Sequence, residues 1–407
     1  MSPEQLVVPD FDSYSFQAEI TGTHLINGGL EVQWKDGLIS RLPAIWLREY
    51  SPDAKSFHSV TREQIVSLTD LPVDLVAGEV SISADGFLCV RWLPENLNSR
   101  YHPGWLRANL PELAEHPFKL PERCLWPKNK APDIKWLDGY LLHKGDQTVL
   151  RSWAESIHIL GLGLLNNLPV ESEIIPLIPE LIGPVRSSNF GKVFEVVNRP
   201  DANTNAYTAL PLAAHTDLAT REYIPGLQFL YCMVNDATGG DSILADGFAI
   251  AEQLRQESEE YYELLCTVEV PFGTKDKDTD YQFNTPIIEL DRLGNVSTIR
   301  HTYWLRSPMR GSFETISNFY VAYRRFQEIC NDPANQISFR LHPGEMMAFD
   351  NRRILHGRAA FDPHSGYRLL RGCYGEREEL ESCLRMLARA QRRKALKSEE
   401  KIVRPEL

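Results

Sequence analysis

The sequence predicts a mainly β protein with some α-helix, in which a small β-rich N-terminal domain precedes a larger domain built as a double-sheet sandwich or barrel. Three observations favour this fold class. The chain has 407 residues, and at roughly 100–200 residues per domain two domains are expected. Short apolar runs of strand length recur along most of the chain. Helices separate these runs too rarely for the β–α–β rhythm of a Rossmann fold.

The first domain is expected to span residues 1–110. Residues 30–34 (LEVQW) alternate between apolar and polar side chains and precede a Lys-Asp-Gly turn, which is a hairpin signal. Residues 80–82 and 87–92 are two further predicted strands, and residues 61–64 (TREQ) indicate a short helix. Residues 111–145 are rich in proline and charge, so we interpret them as a linker that runs over the surface.

The second domain is expected to span residues 146–407. A helix begins at Asp146 and ends before the Gly161 break. Apolar runs then predict a series of strands, at residues 228–234, 242–245, 296–300, 346–349 and 368–374. Amphipathic patterns predict helices near residues 247–265 and 317–331, and a C-terminal helix over 376–398.

Composition excludes several classes of protein. The net charge is −12 and the pI is about 5.5, so partners that are themselves anionic, nucleic acid and membrane surfaces, are not expected. The 7 cysteines are an odd number without a CxxC pair, which is typical of free thiols in a reducing compartment. No signal peptide and no long apolar run is visible, and we therefore expect a cytoplasmic protein.

Three side chains suggest a metal site. His215 and Asp217 form an HxD motif, whose side chains point the same way on extended backbone, and His356 follows a later strand-like run. Two histidines and one carboxylate on one face of iron form the facial triad of non-haem Fe(II) oxygenases, with positions left open for a bidentate 2-oxo acid and for dioxygen. Arg368, in the next strand-like run, offers the fork-shaped cation that the far carboxylate of such an acid needs.

Other catalytic sites fit the residues less well. A zinc hydrolase is the rival metal site, although zinc sites need no arginine at this position. A Ser–His–Asp hydrolase is not supported, because the chain has no GxSxG elbow.

Longer runs resemble the γ-butyrobetaine hydroxylase family of taurine dioxygenase-like oxygenases, over nearly the whole chain. These runs are HTDLATRE (215–222), PGLQFL (225–230), NDATGGDS (235–242), AIWLR (44–48), YHPGW (101–105), SNFG (188–191), NAYT (205–208) and DNRR (350–353). The resemblance implies a double-stranded β-helix, a homodimer, and His215, Asp217 and His356 as iron ligands. It also implies that Arg368, helped by Ser242, binds the distal carboxylate of 2-oxoglutarate.

The same resemblance implies a small trimethylammonium substrate held in an aromatic cage. The matching positions are Phe190, Phe194, Tyr207 and Tyr374, all of them aromatic. A quaternary ammonium cannot donate a hydrogen bond, so ring faces are its natural receptor. The substrate-binding residues Asn189 and Asn205 lie in the same matching runs.

The N-terminal domain departs from the family pattern. Many relatives hold a structural zinc there with three cysteines and a histidine. The cysteine positions are Ser51, Asp53 and Ser56 here, and the histidine position is Leu97. This set lacks the thiolates of a structural zinc site, so we predict no structural zinc.

A second departure concerns the anionic end of the substrate. Relatives place an asparagine in the strand that matches the run from Arg300 to Trp304. Tyr303 is at that position here, and His301 and Thr302 replace apolar or small residues. These donors would suit an oxyanion with three oxygens, and the family includes hydroxylases of 2-(trimethylamino)ethylphosphonate. The sequence therefore favours hydroxylation of this phosphonate to its 1-hydroxy product. The alternatives are hydroxylation of γ-butyrobetaine to L-carnitine, and a non-catalytic sensor of a 2-oxo acid or betaine.

Overall fold

A computed structural model describes residues 6–112, 119–126, 128–198, 208–276 and 279–403. They divide into two compact units. The first contains residues up to 119 together with those from 385 onward, and the second contains residues 120–384. No helix in the described ranges is long and apolar enough to cross a membrane.

The N-terminal unit consists of two small antiparallel sheets and two short helices. Its elements are β1 (Ile20–Ile26), β2 (Gly29–Trp34), β3 (Ile39–Pro43), α1 (Ala44–Glu49), β4 (Val76–Ile82), β5 (Leu88–Leu93), β6 (Leu97–Tyr101) and α2 (Pro103–Ala108). Strands β1–β2–β3 form one sheet and β4–β5–β6 the other. Alternate residues of the strands, such as Leu30 and Val32 in β2 or Leu88, Val90 and Trp92 in β5, fill one shared core.

A cluster of polar side chains lies in this unit, and we call it the N-terminal polar cluster: Arg48, Ser51, Asp53, Ser56, Glu95 and Ser99. All of them are buried except Glu95, which lies at the exposed edge of the cluster. Arg48 donates to both carboxylate oxygens of Glu95, at 2.7 and 2.9 Å, and to Ser56 Oγ at 2.8 Å. Ser51 donates to Asp53 at 2.6 Å and also contacts Ser99. The three positions where relatives have zinc-binding cysteines therefore take part in hydrogen bonds and an ion-pair network.

The second unit holds most of the strands and the long helices. Its elements are β7 (Trp136–Asp138), α3 (Gly139–His143), α4 (Gln147–Leu160), β8 (Leu162–Asn166), α5 (Ile174–Leu177), β9 (Phe194–Val197), β10 (Leu212–His215), β11 (Leu227–Asn235), β12 (Thr238–Gly239), β13 (Ser242–Asp246), α6 (Gly247–Glu257), α7 (Glu259–Thr267), β14 (Val270–Lys275), β15 (Asp280–Thr285), β16 (Ile288–Leu290), β17 (Val296–Ile299), α8 (Phe313–Asn331), β18 (Gln336–Phe339), β19 (Met346–Asp350), β20 (Ile354–Arg358), β21 (Phe361–Asp362) and β22 (Arg368–Gly375). Helix α9 (Arg377–Val403) begins in this unit, and its residues from 385 onward belong to the first unit.

Two sheets make the body of this unit. One has the order β10-β20-β13-β18 and the other β7-β8-β19-β11-β22-β9. Their inner faces share one core, in which Leu244 and Ile354 of the first sheet meet Leu230, Met347 and Leu370 of the second. A second core lies under helices α6, α7 and α8. The mainly β fold predicted from the sequence is confirmed, and the two facing sheets form the double-stranded β-helix.

Local sequence signals explain where several elements begin. Asp146 caps α4 by accepting hydrogen bonds from the backbone N–H groups of Thr148 and Val149, and Gly161 ends this helix in a left-handed conformation with φ of 78°. Asp246 caps α6 in the same way. Ser258 caps α7, so the helical pattern predicted over residues 247–265 is divided into two helices.

Two expectations differ from the structure. The helix predicted at residues 61–64 does not form. Arg62 has a φ of 58°, which a right-handed helix does not allow, and Gln64 forms a bridge with Phe57. The predicted linker, residues 111–145, is not a linker throughout. Its last residues form β7 and α3, because β7 pairs with β8 at the edge of the large sheet.

Candidate functional site

A cavity of about 330 Å³ lies between the two sheets of the second unit. Strands β10, β13 and β20 of the smaller sheet and β9, β11, β19 and β22 of the larger sheet contribute to its lining, and so do the loop after β10 and the β14–β15 hairpin. Most of the predicted site residues that the structure describes line this cavity.

Three of them converge at one point. His215 ends β10 and His356 lies in β20, and the two are direct cross-strand partners. Asp217 lies two residues after His215, in the loop that follows β10. The ligand atoms of these three side chains lie within 4.8 Å of one another, and no other group of His, Cys, Asp and Glu in the described residues has this property.

The distances fit one shared metal ion. Asp217 Oδ1 lies 3.0 Å from His215 Nε2 and 3.6 Å from His356 Nε2. Ligand atoms about 2.1 Å from an ion in neighbouring octahedral positions lie about 3 Å apart. His215 Nδ1 is 3.0 Å from the Ala213 carbonyl oxygen, which can only accept, so the lone pair lies on Nε2. The three donors therefore present one face to a metal.

Backbone contacts fix the HxD loop. Asn351 accepts from the Asp217 N–H at 2.9 Å and donates to the Asp217 and Pro225 carbonyl oxygens. The Thr216 hydroxyl donates to the Ile299 carbonyl at 2.8 Å. Leu218 adopts a left-handed φ of 54°, which turns the chain immediately after the carboxylate. These contacts hold Asp217 in place without a metal.

The protonation states suit metal binding. Burial, together with the neighbouring His215, lowers the pKa of His356 to about 3, so this imidazole is neutral at physiological pH. Burial acts to raise the pKa of Asp217. The two histidines and the Tyr374 hydroxyl outweigh burial and hold that pKa below its usual range. Neutral imidazoles and an ionised carboxylate are the forms that coordinate a metal.

A second group of residues forms a cationic end of the cavity. Arg368, at the start of β22, is 6% exposed and donates only a long hydrogen bond, 3.4 Å, to the Gly240 carbonyl. Its Nε is buried without a partner, and no carboxylate in the described residues pairs with it. Arg358 lies against the Phe361 ring, as Arg368 does, at 4.8 and 5.6 Å from the centroid. Ser242 is the cross-strand partner of Arg358 and lines the same wall.

Aromatic rings line another side. The rings of Phe194 and Tyr374 lie 4.9 Å apart at 32°, and the partly exposed Phe190 joins them on the wall together with Asn189. The Tyr374 hydroxyl donates to Asp217 Oδ2 at 2.8 Å, so this aromatic surface is directly attached to the metal site. Tyr207 and Asn205 lie outside the described residues.

The four residues predicted for the anionic end, residues 300–303, are not among those that line this cavity. Arg300 is buried in an ion pair with Glu289, at 2.9 Å, and donates to backbone carbonyls. His301 is buried and bonded to Tyr323, and Thr302 is also buried. Tyr303 is 51% exposed. Strand β17 ends at Ile299, so residues 300–303 lie outside the strand.

Three wall residues were missed by sequence reasoning. Trp304 packs against the His215 ring, with 4.9 Å between centroids. Gln228, 2% exposed, lines the cavity with its Oε1 unpaired. A lone polar residue within an apolar buried strand is the signal that could have found it. Arg221 follows the HxD motif and also lines the cavity.

Comparisons with known proteins agree with this geometry. Residues 135–374 match the family described as taurine catabolism dioxygenase TauD, TfdA family, and residues 23–107 match the gamma-butyrobetaine hydroxylase-like N-terminal family. A gamma-butyrobetaine dioxygenase of Pseudomonas sp. (strain AK-1) is 40% identical, over 94% of this chain and 100% of that protein. A trimethyllysine dioxygenase of Meyerozyma guilliermondii is 26% identical over 91% of this chain and 96% of that protein.

Further matches include a human protein and a solved structure. The human gamma-butyrobetaine dioxygenase is 26% identical over 90% of this chain and 95% of its own length. Among solved structures, an asparagine oxygenase in complex with Fe(II), 3-hydroxyasparagine and succinate matches with a TM-score of 0.46 and 19% identity, over 58% of this chain and 79% of that chain.

Proposed function

The chain belongs to the taurine catabolism dioxygenase TauD, TfdA family and is an Fe(II)- and 2-oxoglutarate-dependent dioxygenase, and we propose that it hydroxylates γ-butyrobetaine to L-carnitine. The main observation behind the proposal is a hydrogen bond that joins the aromatic side of the cavity to the metal site. Tyr374 contributes its ring to the aromatic side and its hydroxyl, at 2.8 Å, to Asp217.

His215, Asp217 and His356 would hold the metal. When bound, Fe(II) and 2-oxoglutarate supply oxidative chemistry in which one atom of dioxygen enters a substrate C–H bond as hydroxyl and the other enters succinate as carbon dioxide leaves. The Tyr374 hydroxyl donates to the second carboxylate oxygen of Asp217, so Asp217 would offer its other oxygen, Oδ1, to the metal.

Arg368 and Ser242 would bind the distal carboxylate of 2-oxoglutarate. The Arg368 guanidinium is buried, carries no carboxylate partner in the described residues, and has an unpaired Nε. Burial lowers its pKa to about 10, so it remains charged at neutral pH. A buried cation without a counter-ion is costly, and a dicarboxylate that reaches from the metal to Arg368 supplies the missing charge.

Phe194 and Tyr374, together with Phe190, would bind the trimethylammonium group. Each cation–π contact contributes about 0.5–2 kcal/mol, and no hydrogen-bond donor is needed from the substrate. Because the Tyr374 ring is joined to Asp217 through its hydroxyl, a cation held on this ring leaves its neighbouring methylene carbons close to the metal. The chain thus positions an unactivated C–H bond.

We prefer γ-butyrobetaine to the phosphonate for a physical reason. The sequence-based preference for phosphonate depended on residues 300–303, and none of them lies on the cavity wall. The gamma-butyrobetaine dioxygenase of Pseudomonas, at 40% identity over its full length, supports a carboxylate-ended substrate.

A direct competition tests the proposal. The protein, reconstituted with Fe(II), is given 2-oxoglutarate, dioxygen and equal amounts of γ-butyrobetaine and 2-(trimethylamino)ethylphosphonate, and both hydroxylated products are measured by mass spectrometry. We expect carnitine to dominate, with one succinate per hydroxylated product. A clear preference for the phosphonate would contradict the proposal. Binding of either compound without any succinate release would instead favour the sensor.

Three further expectations stay predictions. A homodimer is tested by light scattering, and the absence of a structural zinc by metal analysis of the purified protein, where one tightly bound zinc per chain would contradict it. Localisation to the cytoplasm is tested by cell fractionation.

A further inference from the structure

Arg221 is a cation on the cavity wall that neither the metal site nor the proposed 2-oxoglutarate site uses. It lies four residues after Asp217, in the turn that follows the HxD motif, and its backbone N–H donates to the Leu218 carbonyl at 3.0 Å. The loop that places the metal-binding carboxylate therefore also places this guanidinium.

The described partners of its side chain are neutral groups. Arg221 Nη2 donates to Asn189 Oδ1 at 2.7 Å, and the guanidinium lies over the ring of Tyr281 in β15. Within the described ranges, no carboxylate oxygen lies within the 4.0 Å of an ion pair with Arg221. An amide oxygen and an aromatic face orient a guanidinium, but neither neutralises its charge.

Three other arginines of the same unit differ in this respect, and two more lie at the proposed 2-oxoglutarate end of the cavity. Arg300, Arg353 and Arg377 each pair with a carboxylate, those of Glu289, Asp246 and Asp350 respectively, at 2.7–2.9 Å. Arg358 and Arg368 lie at the Phe361 ring. Arg221 is instead fixed to Asn189, the neighbour of Phe190 on the aromatic side. It is thus an oriented, uncompensated cation beside the proposed substrate pocket.

We propose that Arg221 binds the anionic end of the substrate while the aromatic rings bind its trimethylammonium group. This inference rests on the trimethylammonium substrate proposed above and assigns its second end. A guanidinium suits a carboxylate because two parallel hydrogen bonds add to the charge attraction. Asn189 and Tyr281 are positioning residues, which hold the Arg221 guanidinium in one orientation.

The test compares the unmodified protein with one variant, and measures each of them on two substrates that differ at the anionic end. Arg221→Gln removes the charge and keeps an amide that can hydrogen-bond. The substrates are γ-butyrobetaine and 4-(trimethylammonio)butan-1-ol, in which an uncharged hydroxyl replaces the carboxylate. We expect kcat/KM for γ-butyrobetaine to fall about 10- to 100-fold, chiefly through KM, because a charge-assisted bond is lost. The value for the alcohol should change by less than about threefold.

Two measurements accompany the kinetics. Calorimetry without dioxygen should show the same selective loss of γ-butyrobetaine binding in Arg221→Gln, with unchanged binding of 2-oxoglutarate. Arg324→Gln is the matched control, since it removes a charge from a side chain that is 83% exposed on α8, and both substrates should behave as in the unmodified protein.

Each outcome is decisive. Equal losses for the charged and uncharged substrates would overturn the inference and make Arg221 a structural residue of the loop. Unchanged kinetics with γ-butyrobetaine in Arg221→Gln would also overturn it, while leaving the proposed function standing. If the unmodified protein neither binds nor converts any trimethylammonium compound, the proposed function and this inference both fail.

Discussion

The two units of the protein each bury a group of polar side chains, and the groups differ in whether their hydrogen bonds are complete. In the N-terminal polar cluster, Arg48 bonds to Glu95 and Ser56, and Ser51 bonds to Asp53. No buried side-chain atom of that cluster lacks a partner. Around the cavity of the second unit, Gln228 Oε1 and Arg368 Nε are buried and have no hydrogen-bond partner among the described residues.

This difference separates a structural role from a binding role. A buried polar group without a partner costs about 1–3 kcal/mol, so an unpaired set at one cavity indicates a ligand that completes it. A completed cluster needs no ligand and contributes to folding instead. The same residue types therefore serve two purposes, and the predictions below are designed to separate them.

The largest effect is expected from removing a metal ligand. His215→Ala should abolish succinate release, by more than about 100-fold, because outer-sphere substitutions alone cost 10- to 100-fold at metal sites. Iron content per chain should fall in parallel, while circular dichroism shows a folded protein. The exposed His364 provides the control His364→Ala, which should keep both iron and activity. Retained succinate release in His215→Ala would refute the metal site.

The N-terminal polar cluster should respond in stability rather than in chemistry. The side chain of Arg48 is 2% exposed and that of Glu95 is 23% exposed, so Arg48→Met removes charge-assisted hydrogen bonds from a carboxylate that water still reaches, and it should cost about 2 kcal/mol of unfolding free energy. Urea denaturation measures this cost. Arg41→Met is the control, because Arg41 is 73% exposed in its pair with Glu31 and such pairs contribute about 0–1 kcal/mol. Similar losses in both variants would contradict a structural role for the cluster.

The metal site could be predicted because its residues are either close together in sequence or regularly spaced along one strand. His215 and Asp217 are two residues apart at the end of a strand, and Arg368 and Tyr374 both face inward because they lie an even number of positions apart in β22. The positions of the aromatic cage came from the resemblance to the γ-butyrobetaine hydroxylase family. These features need only the direction of the backbone, which short sequence patterns specify well.

Residues 300–303 could not be placed in this way, because their surroundings come from distant parts of the chain. Arg300 is buried through Glu289 and the carbonyl oxygens of residues 219 and 222. His301 is fixed by Tyr323 of α8. Residues 61–64 failed as a helix because this polar segment has no apolar face to bury, and Arg62 turns the chain instead.

An intermediate effect is expected at the cationic end of the cavity. Arg368→Met should raise the Kd of 2-oxoglutarate about 10- to 100-fold, since a hydrogen-bonded charge pair is lost. Arg371, on the same strand, donates to the Ser172 carbonyl and does not line the cavity, so Arg371→Met is the matched control. Calorimetry on the Fe(II)-loaded protein without dioxygen measures both. Equal changes in the two variants would show that Arg368 has no specific role.

The smallest effect should come from one hydroxyl group. Tyr374→Phe keeps the aromatic ring but removes the hydrogen bond to Asp217 Oδ2. We expect Fe(II) to bind about 10-fold more weakly and γ-butyrobetaine binding to the iron-saturated protein to be unchanged. Titration with Fe(II) measures the first quantity and calorimetry the second. Loss of substrate binding with unchanged iron affinity would reverse the roles assigned to the hydroxyl and the ring.

A crystal grown without dioxygen, with Fe(II) and 2-oxoglutarate, is the most direct test that the unpaired groups of the cavity form one binding site. Anomalous scattering at the iron edge should show a single ion within about 2.2 Å of His215 Nε2, His356 Nε2 and one carboxylate oxygen of Asp217, with the distal carboxylate of 2-oxoglutarate at Arg368. Iron bound at any other set of residues, or 2-oxoglutarate bound away from Arg368, would contradict it.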